Sequence, residues 1–260
     1  MALPVQDIVG KLLQAEKACT PVPKLTETYP GMTAKDAYAV QLAWVEAKKA
    51  AGARIVGKKI GLTNAKIQEM FGVNEPDYGH LLDSMLVDSG GEIALATLVQ
   101  PRVEAEVAFL LRRDVRGPGV TLAAVLAATE CIMPALEIID SRISNWKIAL
   151  PDTVADNASS GRVVLNRAAA RPVGDLDLAA VAMTLERNGT EISSGVSAAV
   201  QGNPATAVAW LANKLAEFSV GLQAGEVIMS GAITGAFPAS QGDHFRARLS
   251  GLGTVEVTFR

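Results

Sequence analysis

The sequence predicts an α+β chain in which an N-terminal helical layer, residues 1–52, covers a β-rich body, residues 53–260, the two forming one continuous functional unit. Three observations carry this expectation. Apolar residues recur at helical spacing through the first fifth of the chain, and alternating, strand-like runs enter from Arg54 onward. One such run, Val181 to Ile192, is split by Asn188-Gly189, the dipeptide preferred where two strands turn back on each other.

Taken in order, Val5, Ile8, Leu12 and Ala15 line one face of a first helix, which Thr20-Pro21-Val22-Pro23 stops. Thr33 caps a second helix with Asp36 three residues on; Tyr38, Leu42 and Val45 form its apolar face and Gly52 closes it. Arg54 to Gly61 reads as a strand, Asn64 to Phe71 as a short helix before Gly72, and Val103 to Leu111 as a strand. Thr121 to Thr129 suits a capped helix, and Pro134 introduces the apolar run Ala135 to Ile139. Asn203-Pro204 supplies a cap and a first-turn proline for a helix using Val208, Leu211, Leu215 and Phe218. The chain ends in two alternating runs, Phe245 to Leu249 and Val255 to Phe259, around Ser250-Gly251-Leu252-Gly253.

Composition removes several classes of function. With 260 residues, 49% hydrophobic and 20% charged, the chain buries a substantial core. Its 24 Lys and Arg are mixed among 27 Asp and Glu, so it lacks the basic footprint of nucleic-acid binding. Cys19 and Cys131 stand far apart and outside any Cys/His cluster, which speaks against structural zinc or a disulfide framework and for a reducing, cytoplasmic setting. The first residues show no signal peptide. The longest uncharged stretch, Ile192 to Asn213, is interrupted by Gln201-Gly202-Asn203-Pro204, so no membrane span is expected.

The chemistry concentrates in two places. In Gln100-Pro101-Arg102-Val103-Glu104-Ala105-Glu106, strand alternation puts Glu104 and Glu106 on one face, with Cα atoms roughly 6.5 to 7 Å apart. The alternative is a solvent face, but Ala108 and Leu110 continue that same side. Glu137, inside the apolar Pro134-Ala135-Leu136-Glu137-Ile138-Ile139, needs a partner: a salt bridge to Arg142 or Arg102, or a metal. Three carboxylates with no His or Cys nearby suit Mg2+ or Mn2+. The second place is Gly57-Lys58-Lys59-Ile60-Gly61-Leu62-Thr63, where alternation turns one lysine inward, although it lacks the spacing of a phosphate-binding loop and two surface lysines are the alternative. Pro76-Asp77-Tyr78-Gly79 reads otherwise as a turn, Asp152 to Gly161 as a polar loop, Gly231 to Gly235 as a glycine-bracketed loop, and His80 and His244 as surface residues.

These segments, with Gly202 to Leu211 and Gly251 to Val255, resemble in order and nearly end to end the 2-keto-4-pentenoate hydratase (2-hydroxypenta-2,4-dienoate hydratase) family of the fumarylacetoacetate-hydrolase-like superfamily. The resemblance implies a mixed β-roll-like body and a homo-oligomer. It also implies a divalent cation, Mg2+ or Mn2+, on Glu104, Glu106 and Glu137, with Lys59 and Asp77 as the proton-transferring pair. Leu62, Ser160 and Thr234 become the candidates for substrate contacts. The implied reaction adds water to a 2-hydroxy-2,4-dienoate to give a 4-hydroxy-2-oxo acid in aromatic or steroid meta-cleavage catabolism, with a complex with an adjacent pathway enzyme among the implied partners. A sister group, the 4-oxalocrotonate decarboxylases, shares the metal carboxylates and the Asp156-Asn157-Ala158-Ser159-Ser160 run but tends to carry an apolar residue at the position of Asp77. Decarboxylation is therefore the closest alternative, and a non-catalytic metal-binding subunit the more distant one.

Overall fold

Among the described residues, two sheets form the body. In this computed structural model, which describes residues 3–64, 68, 69 and 72–260, the helical layer comprises α1 (Val5–Ala18), α2 (Leu25–Thr28) and α3 (Ala34–Ala50). The helix expected over Asn64 to Phe71 falls largely outside the described residues. Ile8, Leu12 and Ala15 are buried on the predicted face of α1. Thr33 and Asp36 form the predicted reciprocal cap of α3, the Thr33 hydroxyl accepting from the Asp36 amide and the Asp36 carboxylate from the Thr33 amide.

The larger sheet runs β2 (Asp77–Leu82), β1 (Ile55–Gly61), β10 (Val227–Met229), β5 (Arg102–Leu111), β6 (Thr129–Ile139), β7 (Ser160–Leu165) and β3 (Leu86–Asp88), with β11 (Phe237–Pro238) also pairing with β5. The smaller runs β4 (Glu92–Ile93), β13 (Gly253–Phe259), β12 (His244–Leu249), β8 (Ala182–Arg187) and β9 (Thr190–Val196), with Asn188 and Gly189 in the turn between its last two strands. Among the described residues three further helices pack around them: α4 (Leu122–Ala128), α5 (Leu150–Ala155) and α6 (Pro204–Ala216), the last capped by Asn203 as predicted. β6 is longer than the expected run because Thr129, read as the end of a helix, begins the strand. No helix among the described residues is long and apolar enough to cross a membrane.

The helical layer is stitched to the large sheet by polar side chains that hydrogen-bond in the interior. Gln41 of α3, fully buried, donates from Nε2 to the carbonyls of Tyr78 and Val154, both at 2.9 Å. Asp152 of α5 accepts from the Thr26 amide and hydroxyl at 2.8 and 2.9 Å and from the Ala149 amide at 2.7 Å. Buried amide and carboxylate groups are tolerated only when bonded in this way, so α2, α3, α5 and β2 hold one another in register.

Of the two histidines expected at the surface, His80 is not there. It sits on β2 at 5% exposure, cross-strand from Lys58, with Nδ1 free of any hydrogen bond, because the whole of β2 is covered on both faces. Burial, reinforced by Lys58 and Lys49, pushes its pKa down to about 3. A depressed histidine contributes stability that is intact above the unfolded value of about 6.5 and is lost as pH falls toward the folded value. Between pH 7.5 and 5.0 the cost is expected to reach about 2 kcal/mol. Urea unfolding of the wild type and His80→Phe at the two pH values checks this: the wild type should lose that much more stability than the variant, and parallel losses would exclude it.

Candidate active site

The pairing of β5 with β6 assembles the carboxylates. Antiparallel register sets Glu104 directly opposite Glu137 and Glu106 opposite Ala135, and strand alternation keeps Glu106 on the face of Glu104. Oxygen atoms of Glu104, Glu106 and Glu137 lie within 4.8 Å of one another. Glu106 and Glu137 are fully buried; Glu106 Oε2 accepts from the Gly231 amide at 2.7 Å, while Glu106 Oε1 and both Glu137 oxygens have no hydrogen-bond partner.

β1 supplies the cation. Lys59 Nζ lies 3.4 Å from Glu137 Oε1, so neither of the predicted alternatives, Arg142 or Arg102, is the partner of Glu137. Arg142 forms a buried ion pair with Asp156, and Arg102 stacks on Trp146. Lys58, pointing to the other face, is held by both oxygens of Glu226 at 2.6 and 2.8 Å. The choice between adjacent lysines is thus made by strand alternation, as the sequence suggested, although both are buried and neither is a surface residue.

Asp77 opens β2 opposite Gly61 and is 2% exposed, with Oδ1 unpartnered. It is no surface turn. A Cβ on Gly61 would stand 2.2 Å from Asp77 Oδ1, so glycine at this position makes room for the carboxylate. Because the obstacle is the movable end of a side chain, Gly61→Ala should fold but displace the carboxylate. The expected result is turnover reduced about 10²-fold with little change in melting temperature, since misplacing a reacting group by about 1 Å costs that much. Unchanged turnover of the alanine variant would show that the position of Asp77 is not critical.

Electrostatics follow from burial. Desolvation and the neighbouring Glu137 push the Glu104 carboxyl up to about 7, desolvation pushes Glu106 well above the ordinary range, and Glu137 rises despite Lys59. Asp77 is also raised by burial, with Lys59 opposing. For Lys59, burial disfavours the charge, but Glu137, Asp77, Glu104 and Glu106 outweigh it and hold the ammonium above the usual lysine range. Buried Glu106 and Glu137, with their unused oxygens, and half-buried Glu104, all raised first by desolvation, fit a hard divalent cation. An all-oxygen donor set has no preference for zinc, and a cation would restore the ionised form of every ligand.

These groups open into a cavity of about 360 Å3. Lys59, Asp77, Glu104 and Leu62 line it, and Leu62 adopts a left-handed backbone at φ 55°. Two residues expected to contact substrate lie outside the cavity lining. Ser160 does not line the cavity: its hydroxyl turns back to donate to the Asn157 carbonyl at 2.8 Å, and Ser159 takes the lining position. The cause is a turn in which Asn157, Ala158 and Ser159 are all left-handed, held by Asn157, whose side chain exchanges hydrogen bonds with the His80 amide and carbonyl at 2.8 and 2.9 Å. Thr234 is likewise absent from the lining, its methyl directed toward Gly195, while Ala232, Gly235 and Ala236 face the cavity. Asp152 to Gly161, read as a loop, holds the last four residues of α5 and this turn. Arg102, Trp146, Thr153 and Ser159 are lining residues that sequence reasoning missed as such. Only Arg102 carried a signal, its two-residue spacing from Glu104.

Comparison with known proteins agrees with this geometry. The model of the fumarylacetoacetate (FAA) hydrolase C-terminal family matches residues 36–260. The chain is 47% identical to a 2-hydroxyhexa-2,4-dienoate hydratase of Comamonas testosteroni, covering 96% of this chain and 95% of the relative. It is 42% identical to a 2-keto-4-pentenoate hydratase of Paraburkholderia xenovorans, over 98% and 94% of the two chains. Among solved structures, a 4-oxalocrotonate decarboxylase from Pseudomonas putida G7, complexed with magnesium and adipate, superposes with a TM-score of 0.94 at 37% identity, covering 100% of this chain and 99% of the other.

Proposed function

This chain belongs to the fumarylacetoacetate (FAA) hydrolase C-terminal family, and from that premise we propose that Lys59 and Asp77 carry out a hydration at a divalent metal held by Glu104, Glu106 and Glu137. The enzyme is a hydro-lyase that adds water to a 2-hydroxy-2,4-dienoate in meta-cleavage catabolism, as its relatives at 47% and 42% identity do by name. Its cofactor is Mg2+ or Mn2+. The observation that carries hydration over decarboxylation is the Lys59–Asp77 pair lining one cavity with Glu104. Loss of CO2 needs an electron sink, whereas hydration also needs one group to take a proton from water and another to meet developing negative charge.

When bound, the cation supplies Lewis-acid polarisation of the substrate's oxygens. Lys59, held protonated by the surrounding carboxylates, cannot act as a base near neutral pH; it donates a hydrogen bond or proton toward the oxygen on C2 as charge gathers there. Asp77 has an unpartnered Oδ1 facing this lysine's neighbourhood and is the base. In the proposed sequence the C2 hydroxyl loses its proton and C5 gains one, giving a 2-oxo-3-enoate. Asp77 then takes a proton from water as its oxygen bonds to C4, and C3 receives the last proton. No carbon–carbon bond breaks.

Incubating the enzyme and Mg2+ separately with 2-hydroxypenta-2,4-dienoate and with the six-carbon diacid tests this. Loss of dienol absorbance with formation of 4-hydroxy-2-oxopentanoate is expected; release of CO2 from the diacid without hydration of the pentadienoate would establish the decarboxylase, the activity named for the structure at TM-score 0.94.

The small-molecule substrate reaches the site through a cavity lined by residues of 53–260, and we treat residues 1–52 and 53–260 as one functional unit, supported by the Gln41 and Asp152 bonds. A homo-oligomer is supported by the exposed apolar side chains Leu42, Phe218, Val220 and Val196, and a cytoplasmic setting by the two free thiols of Cys19 and Cys131.

A further inference from the structure

We propose that Arg102 is a specificity-determining residue that pairs with a carboxylate of the bound substrate, a reading that rests on the acidic dienoate chemistry above. Arg102 is the first residue of β5, and alternation places its side chain on the face of Glu104 and Glu106, lining the same cavity. Among the described residues its guanidinium has no carboxylate within ion-pair distance and no hydrogen bond. The buried cations nearby are committed, unlike half-buried Arg102: Lys59 to Glu137, Lys58 to Glu226, Arg142 to Asp156. Five donors at the wall of a catalytic cavity are therefore unused.

The position is built, not accidental. The guanidinium lies 4.7 Å from the centre of the Trp146 ring, whose Nε1 donates to the Gln100 carbonyl at 3.1 Å. Gln100 in turn donates from Nε2 to the carbonyls of Ser141 and Ile143 at 2.9 and 2.5 Å, and the Asp140 carboxylate accepts from the Gln100 amide at 2.7 Å. The start of β5 and the loop bearing Trp146 are thereby joined, and the planar guanidinium is oriented before any ligand arrives. Its cross-strand neighbour is Ile139, so the charge sits among apolar side chains where pairing with an anion is strong.

Charge balance points the same way. Four carboxylates face the cavity region, Glu104, Glu106, Glu137 and Asp77, against Lys59; even a divalent cation leaves that set one charge negative. A substrate anion would meet net repulsion, and Arg102 is the cation free to offset it. Planar, two-point recognition of a carboxylate is what arginine provides and lysine does not.

The test uses the Mg2+-loaded enzyme and calorimetric binding of 2-oxopentanoate against its neutral analogue 2-oxopentanamide, for wild type, Arg102→Met and Arg102→Lys. In Arg102→Met the acid should bind about 30-fold more weakly while the amide changes less than about 3-fold, the size expected for one charge-assisted pair. Arg102→Lys should recover part of the loss, and KM for the dienoate should rise with kcat little changed. A second arm compares 2-oxoheptanedioate with 2-oxoheptanoate: a loss confined to the diacid assigns the pairing to the far carboxylate, and a loss for both to the C1 carboxylate. Equal weakening of 2-oxopentanoate and its amide, or no weakening of 2-oxopentanoate and 2-oxoheptanedioate alike, would overturn the proposal in favour of a purely supporting role for the Trp146 stack. Because binding is read without turnover, a wild type that hydrates no dienoate yet discriminates acid from amide through Arg102 would sink the hydratase reading and leave this one standing.

Discussion

Glu106→Gln is expected to weaken Mg2+ or Mn2+ binding by about 100-fold and to lower kcat/KM by about 10³-fold, the equivalent of the several kcal/mol that a correctly held Lewis acid supplies. Glutamine keeps the shape and can still accept from the Gly231 amide, which occupies one oxygen of Glu106 at 2.7 Å. The amide group left over then faces the cation with a donor where a negative oxygen stood. The apo protein should respond in the opposite sense. Burial raises the Glu106 pKa well above its ordinary value, so in the absence of metal the folded chain is most stable below the unfolded value and loses stability as pH rises toward the folded one. A neutral glutamine removes that penalty. Melting curves with and without Mg2+ at pH 6 and 8, together with calorimetric Mn2+ titration, check both halves: the variant should lose the metal-induced rise in melting temperature and show a flatter apo pH profile. A variant that keeps the wild-type metal response would remove Glu106 from the ligand set.

The second large effect is at Lys59, where methionine should reduce kcat by about 10³-fold, within the range for loss of a positioned proton-transfer group. Its effect on metal binding should run opposite to that of Glu106→Gln. Lys59 Nζ stands 3.4 Å from Glu137 Oε1, and removing a positive charge from among four acidic groups favours a divalent cation in the same space. Lower kcat with equal or tighter Mn2+ affinity is the expected signature, read from steady-state kinetics and titration on the same preparation. Weaker metal binding, or kcat within tenfold of the wild type, would show that Lys59 holds the site's structure and not its chemistry.

Much of this site could be read before any fold was known, and the reasons differ by residue. Glu104 and Glu106 share a face because strand geometry repeats every two residues, a property of the backbone that needs no tertiary information. The separation of Lys58 from Lys59 obeys the same rule. Glu137 was recognisable only as a carboxylate in an apolar run that required a partner. Which partner it meets depends on the β5–β6 register that sets it against Glu104, and on β1 bringing Lys59 from a distant part of the chain.

Where the reading failed, a local backbone choice or a long-range packing contact was responsible. Ser159 and not Ser160 faces the cavity because three successive left-handed residues redirect the chain there, in a turn where the Asn157 side chain exchanges hydrogen bonds with the backbone of His80. His80 itself looked like a surface histidine because nothing in its own segment reveals that β2 is covered on both sides. Arg102 was read only as a partner for Glu137 because Trp146, against which its guanidinium packs, lies on another loop.

By itself, then, the sequence determined the class of the fold, the helical caps, the strand faces and the hard-cation character of the site, all consequences of backbone periodicity and side-chain chemistry acting over a few residues. Only the tertiary structure decided which side chains share the cavity, how far burial raises their pKa values and which cation is left free. Those properties depend on strand register and desolvation, which arise when distant segments exclude water from one another.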